Sequence, residues 1–514
     1  MKFESFLKGF IPLAAQKNKQ LNQASWILET TGSSDSADLK GELDAEFRLL
    51  FNEPETYQKL LEWEKESHDP IHERQLNVLI RAFKQNQIPK ILCQEIARKE
   101  ALLAQSYASF RPRINGKELS ENDIRTLLKI EKSPVKRREA WEASKQIGKF
   151  LAPQILSLVR LRNQGAKTLG YSDYFEMQLD LQEVDSDWLF TILEELSETS
   201  KKGYRGVLSQ IEERQRQQFG THELGPWAWG DPFCQEDPLD VHELDSLLEG
   251  VDILATCTRF YQKMGIDVGP ILARSDLYER PGKNQHAFCT HIDRIGDVRT
   301  LCNIKPSIKW LETVLHELGH AIYEIGFDPA LPWLLREPPH MIPTEAMALL
   351  AGRQAYRSES LFHLIGPQKE PLRKKADESL RRRQLIFSRW VLVMSAFERE
   401  LYRNPDQDLN RFWWRCVEKY QNISPPPGRE DECDWAAKYH IGLAPVYYFS
   451  YLLGELFASA IEERFVQGLA TPKAGEFLQK KLFFPGNRMS WGELVKHVTG
   501  SSLNSKAWVK EFAS

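Results

Sequence analysis

Within SIKWLETVLHELGHAIYEI, residues 307–325, apolar side chains recur at helical spacing and two histidines, His316 and His320, stand four residues apart. Recurrence at three and four residues commits this stretch to a helix with one buried face. A separation of four places both imidazoles on the same side of that helix. Two neutral nitrogen donors aimed one way suit a single Zn²⁺ ion, and Glu317 beside them is placed to take a proton from a water attacking a carbonyl. Gly319, inside the motif, lets a second element come close. Two solvated histidines would show the same spacing, but the apolar surroundings of this pair disfavour that reading.

A catalytic zinc takes three protein ligands and leaves one position open. The downstream candidates are Glu324, Glu337 and Glu345. Glu345 is preferred because Pro343 and Thr344 have the character of a helix start, which puts Glu345 in a first turn facing the preceding loop.

The rest of the chain frames this helix. Most of the first 215 residues read as successive amphipathic helices, among them EFRLLFNEPETYQKLLEWEKES, LNVLIRAFKQ and a long stretch from about Glu139 to Gly170. The fold class is therefore mainly α. Ser120 and Asp123 form a capping-box pair before IRTLLKI, and Pro134 follows that helix. Between Arg280 and Ile304 the pattern changes, and HAFCTHI and VRTLCNI read as two short strands around a turn at Asp293–Asp297, a small β-hairpin just before the histidine helix. That hairpin would bring Cys289 and Cys302 onto adjoining strands. Residues 219–238 concentrate glycine, proline and tryptophan. They read as an irregular connection between an amino-terminal lobe, residues 1–218, and a metal-bearing lobe, residues 239–514, of one unit.

Composition narrows the function. A formal net charge of -4 over 514 residues excludes the basic excess of a nucleic-acid binder. No stretch is long and apolar enough for a membrane span, and MKFESFLKGFIPLAAQKNKQ lacks the uninterrupted core of a secretory signal. Seven dispersed cysteines without a CxxC pair fit reduced thiols, so a cytoplasmic protein acting on peptides or small molecules is expected. Oligomeric state is left open.

With LPWLLREPPHMIPTEA following HELGH, and with FWWRCVEKYQNISPPPGRE, DWAAKYHIGLAPVYYFSYLL and REAWEASKQIGKFLAPQILSLVRLRNQGAKTLGYSDYFEMQ, the chain resembles the angiotensin-converting-enzyme family of zinc peptidyl dipeptidases over residues 130–465. PVYYFSYLLG is similar as well to the oligoendopeptidase and thimet oligopeptidase families. The resemblance implies a helical ellipsoid of two lobes split by a deep cleft. It also implies one zinc held by His316, His320 and Glu345, and hydrolysis of oligopeptides by a metal-activated water with Glu317 as base. His440 would hydrogen-bond the substrate backbone, and Tyr451 would donate to the developing oxyanion. Lys438 and Tyr448 would hold the substrate's terminal carboxylate, and His291 would contact the peptide backbone. Dipeptide release from free carboxy termini is the activity implied, and cutting within short peptides or a non-catalytic binding role are the alternatives. Three positions depart from the pattern: Trp229 stands where the family has a carboxylate-binding glutamine, Ser450 replaces a chloride-associated arginine, and Leu349 replaces an aspartate behind the metal ligands.

Overall fold

A computed structural model describes residues 2–220, 224–239, 242–366 and 370–514. The described residues are overwhelmingly helical, with two antiparallel two-stranded sheets, so the expected mainly α class holds. Local signals account for several boundaries. The Ser120 hydroxyl accepts the Asp123 amide, and the Asp123 carboxylate accepts the Ser120 amide, so the capping box is formed at helix Glu121–Ile130. Pro134 opens the next helix, Pro134–Thr168, at a first-turn position where a missing N–H leaves no bond unmade.

The chain forms two compact units that interleave along the sequence: residues 1–87, 241–377 and 453–507 in the first, and residues 88–240, 378–452 and 508–514 in the second. Each draws on both sides of the 219–238 segment. Hydrophobic periodicity reports which face of a helix is buried but carries no information on which distant helix covers it.

In the first unit, helices Phe3–Thr31, Ser34–Leu49, Pro54–Glu66 and Pro70–Gln85 surround a cluster of Phe3, Phe51, Leu60, Leu76, Leu79, Ile80, Phe83 and Leu334. Phe10, Phe51 and Phe83 meet edge-on or tilted at ring separations of 5.5–6.0 Å, geometry that favours aromatic quadrupoles. The expected hairpin pairs Phe288–His291 with Val298–Leu301 in the register Phe288↔Leu301 and His291↔Val298. Cys289 therefore lies opposite Thr300, Cys302 falls just past the strand end, and both thiols are free. Next in the chain come helices Ile308–Ile325 and Met341–Gly352.

In the second unit the long helix Pro134–Thr168 packs directly on backbone. A Cβ at Gly148 would sit 2.2 Å from the Cys433 carbonyl oxygen, so only glycine permits this approach to the short turn Asp434–Ala437. The last segment closes the same unit: Trp508 is fully buried and its indole donates to Gln384 at 2.9 Å, while a Cβ at Gly203 would lie 2.8 Å from the Ala513 oxygen.

Candidate metal centre and a second cluster

Helix Ile308–Ile325 begins at Ser307, whose hydroxyl accepts the Trp310 amide. It buries Leu311, Val314, Leu315, Leu318, Ala321 and Ile322 on one side, and this apolar face orients the motif. Its partner, Met341–Gly352, starts two residues earlier than Pro343 and Thr344 suggest. His340 is the cap, its Nδ1 accepting the Ile342 amide at 3.0 Å, and Pro343 sits inside the first turn, where its lack of an N–H costs no helical bond. Glu345 is consequently one turn into the helix rather than in its first turn.

Glycines set how closely these helices approach. A Cβ at Gly319 would meet Ala348 Cα at 2.8 Å and the Met347 oxygen at 3.0 Å, so the two backbones touch at the centre of HELGH. Gly454 lies against the stem of Glu345, with an added Cβ 3.2 Å from its Cγ. Beyond the ligand helix, buried Arg353 donates to Glu455 at 2.8 Å and to Ser459 at 2.9 Å, a charge-assisted anchor.

This packing brings His316, His320 and Glu345 together. Glu345 places one oxygen 3.7 Å from His316 Nε2 and the other 3.6 Å from His320 Nε2, and the donor atoms of the three residues all lie within 4.8 Å of one another. Ligands about 2.0–2.2 Å from a tetrahedral zinc stand roughly 3.4 Å apart, so the donor set and its spacing fit that ion. His320 Nδ1 is 2.8 Å from the Thr344 hydroxyl, which fixes the ring with Nε2 toward Glu345. Thr344 thus gives His320 an outer hydrogen bond, of a kind that the apolar Leu349 cannot make. The threonine next to a ligand carries no distinguishing sequence signal.

Electrostatics follow from burial. Desolvation lowers His316 to about 4, against the pull of Glu345, so this imidazole is a neutral donor at neutral pH. Burial would also lower His320, but the Glu345 carboxylate outweighs it and raises the ring above its usual value. Glu345 is only 4% exposed; burial pushes it up, yet the two histidines hold it below the usual carboxylate range. Glu317 has no such compensation at hand, and desolvation lifts it to about 7 despite His320. A carboxyl poised near neutrality is suited to exchanging protons.

His291, on the hairpin, engages the same helix. Its Nε2 accepts the Gly296 amide at 3.1 Å, so its proton is on Nδ1, 3.2 Å from Glu324. Both ring nitrogens are occupied by the protein, and a peptide backbone contact at Nε2 would compete with the Gly296 amide.

The other expected site residues gather in the second unit. The His440 and Tyr448 rings are 5.0 Å apart, and Tyr451 stands 5.3 Å from Tyr448 and 5.2 Å from Tyr447. The Lys438 ammonium lies over the rings of Trp390, Phe233 and Tyr448 at 5.0–5.4 Å, within cation–π range. It donates to Gln235 Oε1 at 2.9 Å, and no ion pair to Lys438 is found among the described residues. Burial lowers this amine to about 7. Tyr448 accepts from Trp390 Nε1 at 2.7 Å, and burial raises its phenol.

The resemblance places a carboxylate-binding glutamine directly after Trp227-Ala228, where this chain has Trp229. The glutamine beside Lys438 is Gln235. The intervening loop is organised by buried Asp231, whose carboxylate accepts the amides of Phe233, Gln235 and Glu236 at 2.8–3.2 Å. A buried aspartate accepting several amides folds a tight loop, which carries Gln235 six positions further along the chain than the expected one.

Fold and donor set together define a mainly helical protein with a candidate divalent-metal site of two imidazoles, one carboxylate and an adjacent acid. A sequence model of peptidase family M3 matches residues 127–245 and 355–514, together more than half of the chain. The chain belongs to peptidase family M3. The matched segments flank the stretch that carries His316, His320 and Glu345. Among curated proteins, the chain is similar to angiotensin-converting enzyme of Mesocricetus auratus, 23% identical over 574 residues covering 99% of this chain and 42% of that protein. It is also similar to carboxypeptidase 1 of Bacillus subtilis (strain 168), 25% identical over 267 residues covering 43% of this chain and 50% of that protein. The chain thus spans half or less of the length of these relatives. No described helix is long and apolar enough to cross a membrane.

Proposed function

We propose that this chain is a zinc metallopeptidase that cleaves oligopeptides and reads their free carboxy terminus, releasing dipeptides. The observation that carries the specificity is Lys438, a buried amine with a carboxamide partner and aromatic walls; Asp231 and Glu236 act on it from further off, and no carboxylate among the described residues forms an ion pair with it. Burial disfavours the charged form of this amine more than the distant Asp231 and Glu236 favour it, and a substrate carboxylate in direct contact relieves that cost. Gln235 and the ring of Tyr448 lie against it, in keeping with the resemblance's assignment of Lys438 and Tyr448 to the substrate terminus.

His316, His320 and Glu345 would hold the ion. A zinc there supplies Lewis acidity toward the scissile carbonyl and the attacking water. Glu317 accepts the proton that the water gives up and returns it to the departing amine. Thr344 keeps His320 oriented, and Glu324 does the same for His291. By the resemblance, His440 steadies the peptide backbone, Tyr451 donates to the oxyanion, and His291 contacts the substrate backbone. Seven free cysteines support the cytoplasm as the place of action.

The test is mass spectrometry of a peptide mixture digested with free and with amidated carboxy termini, alongside a chelator control. Dipeptides released only from free termini are the expected result. Single residues released from free termini would make it a carboxypeptidase, and internal cuts in both sets an oligoendopeptidase. Cleavage that survives the chelator would overturn the metal mechanism.

A further inference from the structure

Val446 adopts φ +54°, the left-handed region, which a β-branched side chain disfavours most strongly. Its immediate neighbours in sequence are Pro445 and Tyr447, with no glycine to relax the turn. Two side chains from elsewhere in the same unit hold it. The Glu398 carboxyl accepts the Val446 amide at 2.7 Å, and Gln182 Nε2 donates to the Val446 carbonyl at 3.1 Å. Both backbone groups of one strained residue are therefore fastened by groups 48 and 264 positions away. Such strain persists only where the surroundings over-determine the conformation, and it concentrates at functional sites.

The residues directly after Val446 give the strain a use. The chain turns at once into Tyr447, Tyr448 and helix Phe449–Glu462, with the Ser450 amide donating to the Tyr447 carbonyl at 3.0 Å. Rotating Val446 to the ordinary right-handed value would change φ by roughly 115° and swing every downstream side chain. The phenol of Tyr448 would leave Trp390, and its ring would leave His440 and Lys438.

We propose that Glu398 is a positioning residue for peptide cleavage: by holding the Val446 amide it locks the left-handed turn that presents Tyr448 and Tyr451 in register with His440 and Lys438. This rests on the function proposed above. Glu398 is 3% exposed, and burial raises its carboxyl to about 8 against the Val446 hydrogen bond and the nearby Arg162. The Arg162 guanidinium is engaged by Tyr402, Glu100 and the Gly442 carbonyl. What Glu398 contributes at Val446 is one hydrogen-bond acceptor, which a glutamine also carries, and this separates the role from proton transfer or charge pairing.

The experiment compares Glu398→Gln, Glu398→Leu, Glu398→Leu with Val446→Gly, and Gln182→Leu in the zinc-loaded full chain. Readouts are hydrogen exchange of the amides at 443–450, zinc content, and kcat and KM on a free-terminus peptide. Glu398→Gln should match wild type in all three. Glu398→Leu should speed exchange at least tenfold and lower kcat/KM about 10- to 100-fold with zinc content unchanged. Adding Val446→Gly should recover at least half of that loss on a logarithmic scale, because glycine holds the turn without a clamp. Gln182→Leu, at a half-buried surface position, should move exchange and kcat/KM the same way by about threefold, and it decides the matter if Glu398→Leu does not fold. Unchanged exchange in both leucine variants would overturn the clamp, and faster exchange with unchanged kcat/KM would overturn the positioning role. A wild-type chain that cleaves no peptide would sink the proposed function and the positioning role together, while the exchange data would still decide whether the clamp exists.

Discussion

His316, His320 and Glu345 stand on two regular helices whose backbones touch at Gly319, whereas Lys438, Gln235 and Tyr448 come from turns and loops and His440 from a five-residue helix, Tyr439–Leu443. In the first cluster the charges answer one another: two imidazoles face one carboxylate at 3.6–3.7 Å. In the second, a buried amine is in direct contact with rings and a carboxamide, and its carboxylates, Asp231 and Glu236, act from further off. By the function proposed above, one cluster would complete its electrostatics with an ion held by three donors, and the other would receive the carboxylate of a chain end. Rigid helices suit a site whose geometry must stay fixed around a metal, while loops pinned by buried side chains suit a site shaped to a chain end.

Three substitutions sharpen this contrast, beginning with the largest effect. Glu317→Gln keeps every donor and removes the base, so kcat should fall about 10³-fold, roughly 4 kcal/mol of barrier, with zinc content unchanged by elemental analysis. Unaltered turnover would remove the acid from the mechanism. Lys438→Met keeps the aliphatic stem and its aromatic contacts but deletes the charge. The kcat/KM for free-terminus peptides should drop about 10²-fold while amidated peptides, poor substrates throughout, stay where they are, a difference of about 3 kcal/mol in the steady-state comparison. Equal losses on both peptides would mean that the two clusters do not divide the work as described. Thr344→Val is nearly isosteric and removes only the hydroxyl beside His320. Zinc affinity in a competitive chelator titration should weaken about tenfold. No change would mean that helix packing alone orients the ring.

The two clusters also differ in how much of them can be read from residues in a row. HELGH declares itself because an i, i+4 pair on a helix is a local property, and Ser120 with Asp123 declares a cap for the same reason. Glu345 is marked by the helix start at Pro343 and Thr344 and strengthened by the family resemblance, but its helix begins two residues earlier because a proline in a first turn forfeits nothing. The second cluster is defined by long-range contacts: Gln235 meets Lys438 across 203 positions and Trp390 meets Tyr448 across 58. Nothing in the spacing of these residues announces such meetings. The resemblance puts a glutamine at a fixed offset from Trp227-Ala228, whereas the Asp231 loop brings Gln235 to Lys438 instead. Val446 illustrates the limit most clearly, since a valine in sequence suggests extended backbone and only its distant clamps hold it left-handed.

The interleaving of the two units bears on when this protein can first become itself during synthesis. The second unit needs residues 88–240, waits while 241–377 pass into the other unit, takes 378–452, and is sealed by Trp508 and Ala513. A growing chain cannot bury Gln384 beneath Trp508 until residue 508, 124 positions later, has left the ribosome, and the apolar surface around Gly203 stays exposed while roughly three hundred intervening residues are translated. At about 5–20 residues per second that interval lasts tens of seconds. The dependence of the second unit on so late a segment makes its nascent form a natural client for chaperones that shield apolar surface.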